Sequence, residues 1–495
     1  MLLYLATFAT FVQVAAFTAP YHDPVSAATA LISRVLGPAY TAAFSFTVIP
    51  SDASTGNDVF VLGATSSPVS ISGNTGVALA SGVGWYLKYT LNASWGWGYN
   101  NSGNTVVGVL PPPAALPAPA TPGRFVSPAK FRYSWNTCTF GYSFPFYSAA
   151  DWQDEIDRIA LWGVNAPLLP IGLEAAEFDV YTEMGVTPAE LQLYWSGHSH
   201  LPWQRMANIK GLAGPLPLAA VEAQRSLGQA VAGMMLAFGM TPVLNGFAGH
   251  VPDAVRRVHP EANISTASDW GGVGCNYSCV ALLEPSDALF PALGAALNAR
   301  SLALYGGGAA ATAPMFNADT FNEEAPSSGD DAYLASWNRA VYGAMVAAHP
   351  QSIFVIQGWA FVGGPKSFWT LDRVRSYLSP VPLTKMLVLD LNSDSAPVFE
   401  DYVSFDANHP CASKTPPRKK QTPTPTLHPL NPTKTGGLLW ALLCLVWAHC
   451  VRRKAGRVRA AGLAGQLHLR RARKLPQPGW RGHHARGNRP SVPRV

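Results

Sequence analysis

From Phe125 onward the chain alternates short apolar runs with longer amphipathic ones, and this rhythm constrains the fold more than any other feature. The apolar runs are Phe131 to Cys138, Val164 to Pro170, Thr241 to Phe247, Pro314 to Phe321, Ile353 to Gly358 and Met386 to Leu391. Each has the length of a buried strand. Between the first two lies a clear helix: Trp152, Ile156, Ile159 and Ala160 recur on one face, while Asp151, Asp154, Glu155, Asp157 and Arg158 fill the others. Val221 to Phe238 and Tyr333 to His349 read as similar helices. Strand–helix alternation points to parallel pairing, since parallel strands need a long crossover. At this length the pattern predicts a (β/α)8 barrel with six strands visible, two short of closure.

Barrels of this kind present their chemistry at the C-terminal lip of the strands. The stretch Met315-Phe316-Asn317-Ala318-Asp319-Thr320-Phe321-Asn322-Glu323-Glu324 has that form. It leaves a Gly/Ala-rich loop (Gly306 to Ala313) as an apolar strand and ends in acids just before Ala325-Pro326-Ser327-Ser328-Gly329. Two readings stand on local pattern: a catalytic lip, or a capped loop whose carboxylates face water, as Glu usually does. Trp135, Tyr142, Phe144, Phe146, Tyr147, Trp195, Trp203 and Trp359 fall at or after strand ends, where ring faces could stack on a sugar. Core filling is the competing reading for each ring. Several rings sharing one rim with a carboxylate would be the more specific signal.

Upstream, Ser26 to Tyr40 and Thr75 to Tyr89 have helical character, and Phe44 to Val48 and Asp58 to Leu62 have strand character. With Trp95-Gly96-Trp97 and Thr105 to Leu110 they make a small N-terminal α/β domain over 25–110, followed by a stiff Pro-rich linker over 111–124 and the barrel domain over 125–408. Residues 1–16 read as a secretory signal peptide: Leu2, Leu3, Tyr4, Leu5, Phe8, Phe11 and Val12 form its apolar core, and Val14-Ala15-Ala16 offers small residues for cleavage, although no Lys or Arg precedes the core. N-x-S sequons at Asn92, Asn100, Asn263 and Asn276 fit that route. Six cysteines are too few for a disulfide scaffold, but Cys275 and Cys279 are close enough for a local loop-closing bridge in an oxidising compartment. No Cys/His spacing resembles a zinc site, and His198 and His200 read as surface histidines. Neither a metal, a cofactor nor a nucleic-acid partner is expected. The formal charge of +6 conceals a split: the segment from Ala412 to Val495 holds 18 Lys and Arg and no acid, leaving 17 basic against 29 acidic residues before it, a net of −12.

A family resemblance joins these pieces. Arg132-Tyr133 with Asn136-Thr137-Cys138-Thr139 and Tyr142-Ser143-Phe144 resembles the first barrel strand of the lysosomal α-N-acetylglucosaminidases, glycoside hydrolase family 89. The likeness continues through Ala160-Leu161-Trp162-Gly163-Val164-Asn165, Gly172-Leu173-Glu174-Ala175, Trp203-Gln204-Arg205-Met206-Ala207-Asn208 and Phe247-Ala248-Gly249-His250-Val251-Pro252. It includes Cys275-Asn276-Tyr277-Ser278-Cys279, Ala318-Asp319-Thr320-Phe321-Asn322-Glu323 and Gln357-Gly358-Trp359, and covers roughly residues 25–408. The resemblance implies an exo-acting hydrolase that removes terminal α-linked N-acetylglucosamine from heparan sulfate chains in the lysosome with retention, using two carboxyl groups about 5–5.5 Å apart. By the family pattern Glu323 is the acid/base. Asn322 is a hydrogen-bond partner for the 2-acetamido group, and Asn136, Cys138, Trp203 and Trp359 line the sugar pocket. If the backbone is extended there, Glu324 points away from Glu323 and stays out of catalysis.

The likeness stops near Ser404-Phe405-Asp406, where family members continue into the last barrel strands, a second catalytic Glu and a helical C-terminal domain. Here 409–495 reads as a basic, Pro-rich tail without recognisable fold, and the nucleophile has no counterpart. The apolar run 436–451 is 16 residues, shorter than the ~20 of a spanning helix, so a membrane anchor is not expected. Two expectations of different class follow: a truncated or misread product of an α-N-acetylglucosaminidase gene in the secretory pathway (lysosomal or secreted), or a non-catalytic sugar-binding relative. A barrel lacking strands would expose unpaired edges and apolar surface, and poor expression is expected of it. The oligomeric state is left open.

Overall fold

The structure, a computed structural model, describes residues 23–97, 104–307, 312–361 and 368–391. The signal-peptide segment 1–16, the sequon at Asn100, the apolar run 436–451 and the tail over 409–495 lie outside the described residues.

The N-terminal part begins with the helix Pro24–Val35, whose cap is Asp23: its Oδ1 accepts from the Val25 N–H at 3.1 Å. Ala28, Leu31, Ile32 and Val35 form its buried stripe. Strands β1 (Phe44–Val48), β2 (Val59–Leu62) and β3 (Val69–Gly73) precede the helix Gly76–Tyr89. β4 (Ser94–Trp97) and β5 (Asn104–Val107) form an antiparallel hairpin, and β6 (Gly123–Val126) closes a mixed sheet of order β1-β3-β2-β6. The sequence pattern did not reveal β3. Its buried positions Val69, Ile71 and Gly73 alternate with Ser70 and Ser72, so the serines of its second face read as turn composition. The Pro-rich segment also departs from the stiff spacer expected over 111–124. Its carbonyls accept from Tyr40 Oη (Pro111 O, 2.9 Å) and Tyr86 Oη (Pro117 O, 2.8 Å), Leu116 is buried, and the chain then returns to this sheet as β6. Proline carbonyls remain acceptors although the residue has no N–H, which allows such a run to pack as a strap.

Six parallel strands follow: β7 (Tyr133–Ser134), β8 (Ala166–Pro167), β9 (Val243–Asn245), then, after the small sheet of β10 (His250–Val251), β11 (Ile264–Thr266) and β12 (Ala281–Leu283), the strands β13 (Met315–Asn317), β14 (Ile353–Gln357) and β15 (Met386–Leu389). All six fall within the apolar runs that predicted them. β7 pairs with β8, a single bridge from Leu168 to Val243 joins β8 to β9, and β9-β13-β14-β15 continue the order, six parallel strands among the described residues. Helices Ala149–Leu161, Leu218–Ala237, Leu289–Tyr305, Asp331–Ala348 and Leu371–Leu378 make the crossovers. The first has a capping box, Ser148 with Asp151.

Alternation along the strands sorts the core into two layers. Val243, Met315, Ile353, Val355, Leu387 and Leu389 form the inner cluster. Leu244, Phe316, Phe354 and Ile356 point the other way and pack with the helices. With a period of two, Asn317 and Gln357 fall on the inward side of β13 and β14, at the strand ends, above an apolar floor. Thus the site is placed by the barrel's own register. The N-terminal domain is locked to the barrel at a distance from these ends. Arg34 forks onto Asp157 at 2.6 and 2.8 Å, and the Val77 N–H donates to Phe238 O at 3.0 Å. Helix Gly76–Tyr89 lies so close to helix Ala149–Leu161 that a Cβ at Gly84 would stand 2.3 Å from the Leu161 carbonyl oxygen.

Candidate active site

β13 ends at Asn317, and the chain turns through Thr320 to Glu323 instead of running on extended. Glu323 has φ +61°, a left-handed conformation that costs a non-glycine residue on the order of 1 kcal/mol. The turn is over-determined. Thr320 Oγ1 donates to Ala248 O at 2.9 Å, Phe321 packs edge-on against Trp337, and Asn322 O accepts from Asn208 Nδ2 at 2.7 Å. The extended backbone expected at Glu323 is therefore corrected, yet the two glutamates do diverge. Glu324 is buried and its Oε2 accepts from Ser268 Oγ at 3.1 Å.

Glu323 itself is gripped from two sides. Oε1 accepts from the indole N–H of Trp359 at 2.7 Å, and Oε2 from that of Trp270 at 2.9 Å. Trp359 stands on the one-turn helix Gly358–Phe361 directly after β14, and is 37% exposed. Its ring is thus open to the solvent side while its nitrogen orients the carboxylate. Below Glu323 lies a buried brace. Asp319 Oδ1 accepts the Gln357 backbone N–H at 2.8 Å, and its Oδ2 accepts Gln357 Nε2 at 2.6 Å and Asn317 Nδ2 at 3.0 Å. Gln357 Nε2 also reaches Thr137 Oγ1 at 3.2 Å, so one side chain ties together the ends of β7, β13 and β14. Burial pushes the Asp319 carboxyl up to about 6 against these bonds, and it pushes Glu324 up to about 7.

The end of the first strand brings Cys138 within range of the Glu323 charge. After β7 the backbone turns at Trp135 (φ +67°), and Asn136 Oδ1 accepts the Thr139 N–H and hydroxyl at 2.9 and 2.7 Å, starting the helix Thr139–Tyr142. Cys138 is half-buried and is not in a disulfide; burial first, then the negative charges of Glu323 and Asp319, push its thiol up to about 11. A thiol held protonated in this way is a poor nucleophile. Trp203, on the helix Leu201–Arg205, meets the edge of Tyr142 at 6.3 Å and backs onto Gly141. That helix is anchored by Arg205, which forks onto the buried Glu174 at 2.9 and 2.8 Å and donates to Pro170 O at 2.7 Å.

Two expectations about the rim need revision. Phe144 and Trp195 are core residues: Phe144 packs with Trp135 and Trp152, and Trp195 is fully buried with its indole on Glu177 at 2.7 Å. Tyr142, Phe146 and Trp359 are the exposed members. The Asn322 side chain is also turned inward. Its Nδ2 lies 2.8 Å from Met206 Sδ and its Oδ1 is buried with no partner among the described residues. Trp270 is the functional candidate that the sequence reading missed. It lies in the Gly-rich β11–β12 loop, far from any barrel strand end in sequence, and only the Cys275/Cys279 pair that closes the loop hinted at a held segment. Those two cysteines form a disulfide. Asn92, Asn263 and Asn276 are exposed. Among the described residues no group of three or more His, Cys, Asp or Glu is placed to hold a metal ion, and no helix is long and apolar enough to cross a membrane.

A family model described as the alpha-N-acetylglucosaminidase (NAGLU) tim-barrel domain matches residues 132–409, and one described as the N-terminal domain of the same family matches residues 26–117. Human alpha-N-acetylglucosaminidase is 39% identical over 384 residues, which cover 77% of this chain and 50% of that protein. Among solved structures, a family 89 glycoside hydrolase from Clostridium perfringens in complex with PUGNAc aligns with a TM-score of 0.65 at 26% identity, covering 76% of this chain and 40% of that one. A doubly substituted form from the same organism, in complex with its substrate GlcNAc-alpha-1,4-galactose, aligns with a TM-score of 0.65 at 25% identity, with the same coverage of 76% and 40%. The chain spans about half the length of the curated relative it matches. With both of its domains matched and this identity to a curated relative, the chain belongs to the alpha-N-acetylglucosaminidase family, glycoside hydrolase family 89.

Proposed function

We propose that this chain carries the sugar pocket and the acid/base of an exo-acting glycoside hydrolase that releases terminal α-linked N-acetylglucosamine, with heparan sulfate-type glycosaminoglycan as its substrate. The observation that carries the reading is Glu323: a carboxylate on a left-handed turn at the lip of β13, oriented by two indole N–H groups from separate loops. Strain that persists only because its surroundings enforce it is characteristic of functional positions. The relatives' names support an α-linked N-acetylglucosamine as the sugar released.

In the retaining mechanism one carboxyl group protonates the departing glycosidic oxygen and later takes a proton from the water that releases the sugar, while a second attacks the anomeric carbon. Glu323 takes the first role. Trp359 and Trp203 bound the sugar, and Cys138 and Asn136 supply the wall on the β7 side. Asn322 reaches an acetamido group only by turning its amide away from Met206. Of the described carboxyls beside Glu323, neither suits the second role, because Asp319 is committed to Gln357 and Asn317, and Glu324 faces Ser268. That commitment favours a second reading in which the 495-residue chain binds the sugar without turning it over. The disulfide and the exposed sequons support passage through the secretory pathway, to the lysosome or the exterior.

Incubating the purified chain with an aryl α-N-acetylglucosaminide tests this. Release of the aglycone that is lost in Glu323→Gln, with the α-anomer as the first sugar product by NMR, supports the retaining hydrolase. Saturable binding of N-acetylglucosamine without release supports the binding-only reading. Absence of both overturns the assignment of the pocket.

A further inference from the structure

The two consecutive glutamates are both attached to one loop, and that loop is internally braced. Residues 267–280 connect β11 to β12 and are closed at the neck by the Ala267 N–H donating to Val280 O at 2.9 Å. Asp269 is the hub: its Oδ1 accepts the Gly274 N–H at 2.8 Å and the Ser278 hydroxyl at 2.7 Å, and Ser278 Oγ in turn accepts the Trp270 N–H at 3.1 Å. The Cys275–Cys279 disulfide closes the tip. Gly271, Gly272 and Gly274 all have positive φ, at 62°, 72° and 94°, so the path is one that side chains would resist. From this frame Trp270 extends its indole N–H to Glu323 Oε2, and Ser268 its hydroxyl to Glu324 Oε2. The loop and the catalytic turn are therefore joined at two points, two residues apart on one side and adjacent on the other.

We propose that the disulfide-braced loop 267–280 is a positioning device for the acid/base: it holds Trp270 on one oxygen of Glu323, leaving proton delivery to the glycosidic oxygen dependent on the loop's closure. The inference rests on the reading of Glu323 as the acid/base. Its physical basis is that a charge-assisted bond from a fixed donor orients a carboxylate, whereas the same indole on an open Gly-rich loop would sample many positions and lose that orientation to chain entropy. The link through Ser268 and Glu324 removes the remaining freedom between loop and turn.

The test compares the full chain with Trp270→Phe, which keeps the ring and removes the donor, with the double substitution Cys275→Ser and Cys279→Ser, and with Asp269→Ala, which dismantles the brace without touching the disulfide. Two readouts are taken: the affinity of 2-acetamido-1,2-dideoxynojirimycin by calorimetry, and hydrolysis of aryl α-N-acetylglucosaminides with poor and with strongly activated leaving groups. Freeing the Glu323 carboxylate from its fixed donor leaves it disordered where it meets the ligand, and this should weaken the iminosugar about three- to tenfold in Trp270→Phe and in the two loop variants. Where the chain turns over, the poor leaving group should suffer by similar factors and the activated one, which needs little protonation, should be nearly unaffected. A variant that merely disturbed packing would lower both substrates alike, and that outcome overturns the proposal, as does unchanged iminosugar affinity in all three variants. Failure of Glu323→Gln to alter binding or hydrolysis would instead strike down the reading of Glu323 itself. If the cysteine variant does not fold, Asp269→Ala and Trp270→Phe decide alone.

Discussion

In the N-terminal sheet the carboxylates sit at the rim, whereas in the barrel they sit over the core, and the two settings push the same chemical group in opposite directions. Asp52 accepts from Ser54, Thr55 and Arg124, and these bonds hold it well below the usual carboxylate range. Asp319 accepts hydrogen bonds from Gln357 and Asn317, yet burial raises it to about 6. Both carboxylates have little exposure, but Asp52 is held by more bonds, one of them from the Arg124 guanidinium, whereas at Asp319 only amide groups donate and desolvation outweighs them. One region uses its acids to fasten turns. The other keeps acids buried at a cost in solvation, some within structural pairs such as Arg205 with Glu174 and some around Glu323.

That contrast can be broken most severely at Glu323. Glu323→Gln keeps the shape and one of the two indole contacts, since its amide NH2 cannot accept from the other indole N–H, and it cannot exchange a proton. Where the chain hydrolyses an aryl glycoside, kcat/KM should fall by roughly 10²–10⁴-fold while the melting temperature stays within a degree or two. A large loss of stability would make Glu323 a structural residue like Asp52. Arg205→Ala probes the opposite case, a buried charge at the strand ends that is structural. It strands Glu174 without its partner, and a loss of about 3–5 kcal/mol in denaturant unfolding is expected. Gly84→Ala places a Cβ against the Leu161 carbonyl. It should cost about 1–3 kcal/mol and leave sugar affinity unchanged, since this contact is between domains and away from the pocket.

The smallest expected effect tests the pH side of the comparison. Glu324 holds its proton up to about pH 7 when folded but only to its ordinary value of 4.5 when unfolded. The folded state therefore binds more protons across that window, and stability falls as pH rises through it. Glu324→Gln removes the penalty. Unfolding free energies should match the parent near pH 4 and exceed it by roughly 1–2 kcal/mol at pH 8. A rim acid such as Asp52 gives the reverse sign, because its folded form binds fewer protons and its contribution disappears as pH falls.

The amino-acid sequence by itself determined the barrel rhythm, the family and the position of Glu323 at a strand lip. Each of these depends on local periodicity or on contiguous motifs, such as the apolar run that becomes β13 and the Asn322-Glu323 pair beyond it. It also indicated a disulfide across four residues, because short loops leave few alternatives. It did not reveal β3, whose serines resemble a turn, or β6, which lies beyond the prolines and pairs with β2. Nor did it separate Trp195, a core residue, from Trp359, an exposed residue whose indole meets Glu323, since both are aromatic residues in similar local contexts. Trp270 is the sharpest case. Its bond to Glu323 spans 53 positions and exists only because a hairpin inserted after β9 folds back over the next strand's end. Periodicity encodes what a residue does with its near neighbours along the chain. Which distant donor reaches a carboxylate depends on how whole elements pack, and only the tertiary structure decides that.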